Sequence, residues 1–271
     1  SAASAVNVSG GATLQFDSST SVADAASLIG AGAFSLTGGT LTLSGTFGAA
    51  GGFTQTGGIL AGTNTFNTPV AWSAGTWSSA GTTTIAAANT LTISGPAAHD
   101  YNGRAIVANG TVNWSNGDLR SGSGGTFTVG SGGTFNDSAS MSISNPGFGG
   151  TSTFINNGTY NKTAAGTTAV GQFFTNTGAL NVQAGTFRLD NTSSFSAASA
   201  VAVSAAATLQ FDSTTSVADA ASLTGAGVFS LTNGTLTLAG TFSAAGGFTQ
   251  TGGILAGTQT FNTPVAWSAG S

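Results

Sequence analysis

Apolar residues recur along this chain in pairs six positions apart, and the pairs themselves return at intervals near 20. Leu28/Phe34, Phe47/Phe53, Phe66/Trp72, Ile85/Leu91 and Ile106/Val112 are displaced by 19, 19, 19 and 21 residues. A second series, Phe135/Met141, Phe154/Tyr160, Phe174/Leu180 and Phe195/Val201, is displaced by 19, 20 and 21. Leu223/Phe229, Phe242/Phe248 and Phe261/Trp267 repeat the first series. Between the first two series the phase slips near Ser121-Gly122-Ser123-Gly124-Gly125, which predicts an enlarged turn or a local change of coil shape.

Inside each period the pattern alternates. GGTLTLSG (38–45), GGTFTVG (124–130) and NNGTYNKT (156–163) place apolar and polar residues in turn, bounded by Gly-Gly or Asn-Gly. Period two with turn punctuation predicts short strands with one face buried. Helix is disfavoured, because Gly, Thr, Val and Phe dominate and glutamate is absent. Two or three short strands in about 20 residues, repeated roughly 13 times without helices, make an all-β fold, a parallel β-helix or β-solenoid. Equivalent residues would stack about 4.8 Å apart, with Phe34, Phe53, Trp72 and Leu91 in one internal column.

A longer repeat overlies the short one. Residues 1–75 match 196–270 without a gap at a constant offset of 195, with 65 identities in 75. The chain therefore reads as one continuous solenoid over 1–271, with one full long unit in 1–195 and the start of a second, nearly identical unit in 196–271.

Composition narrows the function. Charged residues make up 4% of the chain, against about a quarter in an ordinary domain. A net charge of −4 with no basic stripe excludes nucleic acid as a partner. Mean hydropathy is positive, which argues against disorder. No apolar run is long enough for a membrane span in this segment. Cysteine is absent, so a secreted domain of this kind would be stable by architecture alone.

FINNGTYNKT (154–163) and FTNTGALNVQAGTFRLDN (174–191) resemble the repeats of filamentous-haemagglutinin-like and autotransporter-type bacterial surface proteins. The resemblance implies a right-handed parallel β-helix, export to the bacterial cell surface, and service in adhesion, biofilm or a filamentous coat. The family's secretion-signalling domain and membrane-anchoring barrel have no counterpart in these residues, so the route of secretion is open. The residues themselves leave the hand of the coil open.

The functional expectation is a structural segment of an extracellular fibre, sheath or stalk, since a solenoid extends in one dimension by nearest-neighbour stacking. Its partners would be further copies of the same repeat, in the same chain or end to end in a filament. The alternative is an adhesin shaft that holds glycans or cell surfaces; an enzyme is not expected. The acids stand singly, and Asp17 and Asp24, which recur as Asp212 and Asp219, read as turn-capping aspartates. His99, Asp100, Tyr101 and Arg104 in GPAAHDYNGR form the most polar local cluster. They are candidates for a ligand-contact loop, although a plain surface excursion after Pro96 explains them more simply. One histidine without cysteines or clustered acids makes no metal site, and no cofactor is implied.

Trp72 and Trp267 fall in the apolar ladder and are expected in the core. Trp77 and Trp114 are candidate exposed aromatics for stacking on sugars. Thr-x-Thr pairs begin at Thr40, Thr63, Thr82, Thr90 and Thr126, at intervals of 23, 19, 8 and 36. So irregular a series reads as generic outward threonine rather than a ranked, ice-binding type of face. Asn-x-Ser/Thr sequons occur at Asn7, Asn109, Asn113, Asn136, Asn157, Asn161, Asn191 and Asn233, which allows glycosylation without predicting it.

Overall fold

The computed structural model describes residues 5–271, so the first four residues of the long repeat lie outside it. Every strand pairing is parallel, and the chain winds through about 13 turns of about 20 residues, with 54% strand and 2% helix. Each turn carries three strands, which stack into three faces. On the first face Thr90–Ile93, Thr111–Trp114, Thr134–Asp137, Thr159–Lys162 and Ala179–Val182 pair in sequence. On the second, His99–Asp100, Leu119–Arg120, Ser142–Ser144, Thr167–Val170 and Gly185–Leu189 do the same. On the third, Thr82–Ile85, Ala105–Ala108, Thr126–Val129, Thr153–Asn156 and Phe173–Asn176 complete the turns. Two strands, Phe53–Ala61 and Val70–Trp77, bend from the first face onto the second without a break.

The alternation read from the sequence sets this geometry. Thr126–Val129, Thr134–Asp137, Thr153–Asn156 and Thr159–Lys162 all show two inward, buried positions separated by a half-buried outward one. Parallel stacking brings like side chains into columns. Phe127, Phe154 and Phe174 are register partners on the third face; the first two rings stack at 5.2 Å and 6°, the next pair at 6.0 Å and 20°. Phe135 stacks on Tyr160 at 4.9 Å on the first face. Glycine matters most where turns touch: a Cβ on Gly51 would lie 1.8 Å from the Gly32 carbonyl oxygen.

The structure shifts four of the sequence assignments. Phe34 and Phe53 are register partners, but the next member of their column is Val70, followed by Leu91. Trp72 sits two residues along the same strand, between Gln55 and Ile93 in the neighbouring inward column. The Phe53-to-Val70 interval is short and the following one long, and a near-constant average spacing concealed both.

Phe135 and Met141 are not equivalent to Phe154 and Tyr160. Phe135 lies on the first face beside Tyr160, and Met141 is an exposed residue ahead of Ser142–Ser144, whose Ile143 is the buried one. The corner Gly130–Gly133 is two residues longer than its predecessor Asn109-Gly110, which moved the phase. The largest corner is not at residues 121–125 but one turn later, where eight residues (145–152) join Ser142–Ser144 to Thr153–Asn156. Trp267, expected in the core, is 67% exposed. It lies on Val265–Trp267, which pairs on one side alone, with Phe248–Gln250.

Truncating one ring in the aromatic column should open a cavity that stacked turns cannot collapse. Phe127→Ala is expected to cost about 3–5 kcal/mol, whereas Thr111→Ala on the outer surface should stay within about 0.5 kcal/mol. Urea denaturation of the two variants beside the parent protein checks this; similar midpoints would contradict the stacked core.

Candidate functional site

The residues singled out as a ligand-contact loop are part of the stack. His99–Asp100 is a strand of the second face, and His99, Tyr101 and Arg104 are fully buried. This corrects both the loop and the surface-excursion readings. The His99 ring meets Trp72 edge-on at 4.9 Å. Burial pulls its pKa down to about 4, although nearby backbone at Asn116, the Asp100 charge, and backbone at Ser94 and Gly95 act in the opposite direction.

Arg104 turns inward, and its Nε donates to Thr83 Oγ1 at 2.8 Å while Nη2 donates to the Gly62 carbonyl. Burial lowers its pKa to about 10, which leaves the guanidinium charged at neutral pH. Asp100 alone faces outward, in an ion pair with Arg120 of the next turn at 2.6 Å.

Tyr101 has a longer reach than any sequence pattern suggested. Its hydroxyl donates to Gln172 Oε1 at 2.7 Å, three turns further along the axis. Burial is the main reason its pKa is raised. Gln172 Nε2 in turn donates to the Ser144 carbonyl. The side chains therefore clamp the stretch of solenoid that carries the enlarged corner.

Trp77 and Trp114 are not exposed aromatics. Both are fully buried; Trp77 stacks on Trp72 at 4.3 Å and 9° and donates to Gln55 Oε1, and Trp114 donates to the Gly117 carbonyl. The indoles fill inward positions, and each N–H finds an acceptor inside. Asp24 does cap a turn: its carboxylate accepts from Ala26 N at the head of the 3-10 turn Ala25–Ser27.

Sequence reasoning missed a buried polar cluster on the first face. Asp137 accepts from Tyr160 Oη at 3.0 Å and Thr168 Oγ1 at 2.5 Å, and its pKa is raised by burial. Lys162, its register partner, donates to Ser140 Oγ and the Ala164 carbonyl, and burial lowers its pKa. Charged residues at positions where alternation demands apolar ones were the available signal.

It also missed the most regular feature of the surface. Thr90, Thr111, Thr134 and Thr159 stack as one outward rank of the first face. Beside it runs a ladder of asparagines, in which Asn136 Nδ2 donates to Asn113 Oδ1, Asn161 to Asn136 and Asn181 to Asn161, at 2.9–3.0 Å. A third rank holds Ser115, Ser138 and Thr163, whose hydroxyls donate to backbone carbonyls of the preceding turn. The irregular intervals between Thr-x-Thr pairs arose because those pairs belong to different faces.

Three of the sequons, at Asn113, Asn136 and Asn161, fall in this ladder. The amide nitrogen that would carry a sugar is engaged along it in Asn136 and Asn161. The grid presents hydroxyls and amides about 4.8 Å apart along the axis. It offers hydrogen bonds to an uncharged polar surface and no group that titrates near neutrality.

The geometry defines the class of this chain: it is an all-parallel β-solenoid repeat protein. Comparison with known proteins finds no matching family model, no similar curated protein and no similar solved structure.

His99 should make the solenoid acid-sensitive. Its native pKa lies below the unfolded value of 6.5, so its contribution to stability is complete above pH 6.5 and falls as pH drops toward about 4. The loss should reach about 3 kcal/mol across that window. Urea midpoints at pH 7 and pH 4 for the parent and His99→Phe check this, and the variant should lose less stability on acidification by that amount. Parallel pH profiles would contradict it.

Proposed function

We propose that this chain is a structural segment of a long extracellular bacterial fibre, sheath or stalk. The observation that carries the reading is continuity. The second copy of the long repeat enters the same stack as the first, with Ser193–Phe195 pairing directly to Thr215–Val217 across the junction. Fifty-plus apolar residues from Val8 to Phe248 form one core cluster along the axis. Such a stack lengthens by repetition, each turn stabilised by its two neighbours, and further copies of the repeat are its natural partners. The near absence of charge on the chain suits a surface that must behave alike across changes of salt. The resemblance of residues 154–163 and 174–191 to bacterial surface repeats supports placement outside the cell.

A second reading, an adhesin shaft holding glycans or cell surfaces, draws on the Thr–Asn grid of the first face. It receives no support from Trp77 and Trp114, which are interior, so a sugar on the grid would be held by hydrogen bonds without aromatic stacking.

Immunogold electron microscopy of intact cells that make the protein tests the first reading. Label along uniform filaments or a continuous outer layer is expected. Label confined to the cell interior would refute the extracellular assignment, and isolated stalks with distal heads together with retention on a glycan array would favour the second.

A further inference from the structure

The long repeat is out of phase with the turn of the solenoid. Thr13–Phe16 lies on the first face, paired with Ala33–Leu36, whereas the counterpart segment in Ala207–Phe211 lies on the second, paired with Gly185–Leu189. Thr20–Val22 lies on the second face, below Thr40–Leu43, and its counterpart Thr215–Val217 lies on the third. Leu28–Gly30 precedes Gly45–Phe47 on the third face, and its counterpart Leu223–Gly225 pairs with Ala200–Val203 on the first. All three shift by one face in the same sense. Counting first-face strands from Thr13–Phe16, the chain completes nine turns at Ala200–Val203 and reaches the counterpart segment in Ala207–Phe211 one face later.

The interior tolerates this rotation. Leu36 and Leu231, Leu41 and Leu236, and Phe53 and Phe248 are equivalent by the 195-residue offset, and each is at most 2% exposed in both settings. Four-residue strands of all three faces carry two inward positions, as in Thr111–Trp114, Thr167–Val170 and Phe173–Asn176, so a strand that fits one face fits the next. A remainder of part of a face would instead put inward side chains at a corner. The allowed remainders are therefore none, one face or two, and this sequence uses one.

We propose that the 195-residue unit works as a one-third-turn rotor, so that consecutive units present the same surface on successive faces. A patch on the unit, such as the Thr–Asn grid, then recurs at axial steps of roughly 45 Å, in three directions around the axis. It returns to its first direction after three units, which is three times nine and one-third, or 28, turns. A partner that recognises one patch would attach around the whole fibre and link it to neighbours on all sides. A unit of whole turns would line the patches up along a single edge and favour flat ribbons. The inference rests on register alone and stands whether or not the protein is extracellular.

Two cysteine pairs in the otherwise cysteine-free chain test it. Arg188 and Gln210 are outward register partners on adjacent strands of the second face, a separation of about 4.8 Å that a disulfide can bridge. In a unit of whole turns, Gln210 would take the azimuth of Gln15 and lie over the column of Asn181 on the first face. Mild oxidation of Arg188→Cys/Gln210→Cys is expected to consume both thiols, and that of Asn181→Cys/Gln210→Cys to leave both free within the monomer, as read by thiol titration and peptide mass mapping. The proposal is overturned if the second pair closes. It is equally overturned if the first pair stays open while the reduced variant keeps the parent's far-UV circular dichroism and melting transition.

Discussion

Parallel, in-register stacking of one turn on the next is the interaction on which everything else here depends. Every strand donates its backbone hydrogen bonds to the turn above and below, so inward side chains are forced over one another at the spacing of paired strands. That constraint turns Phe127, Phe154 and Phe174 into a column of rings. It also makes any residue that enters an inward position answerable to its neighbours along the axis. Asp137, Lys162, Arg104 and His99 are interior for that reason, each bonded to or packed against groups one or more turns away or left neutral by burial.

The same constraint shapes the outside. Outward residues are ranked as strictly as inward ones, and polar side chains one turn apart can bond to each other. The asparagine ladder on the first face is the clearest case: Asn136 and Asn161 each spend a donor and an acceptor on their neighbours, so the surface is ordered without charge. The corners carry the irregularity that the faces cannot. Residues 145–152 widen one corner, and the Tyr101–Gln172 bond runs past it along the axis to hold the flanking turns together.

Equivalence of the three faces has a consequence for how such a protein grows. A repeat unit need not contain a whole number of turns, only a whole number of faces, because the inward positions are interchangeable. Insertions that lengthen a corner leave the stack intact, while a change that moved an inward residue to a corner would not. Sequence drift between copies is accordingly mild and mostly outward, as in Asn7 against Ala202 or Ile29 against Thr224, positions that are exposed in both settings.

The sequence by itself determined the kind of fold, the length of the turn and the long repeat, because alternation and period are properties of a line of residues that parallel stacking copies directly into space. It also showed Trp72 to be interior and Asp24 to cap a turn. Tertiary structure alone decided which residues share a column, since intervals of 17 to 27 residues between partners average to a period that hides each one. Thus Val70 rather than Trp72 follows Phe53, Met141 is outside, and Trp77, Trp114, His99, Tyr101 and Arg104 are inside. Azimuth cannot be read from spacing while corners vary in length. For that reason the Thr-x-Thr pairs looked unranked, the asparagine ladder went unseen, and the rotation of one repeat unit against the next emerged only when the strands were placed on their faces.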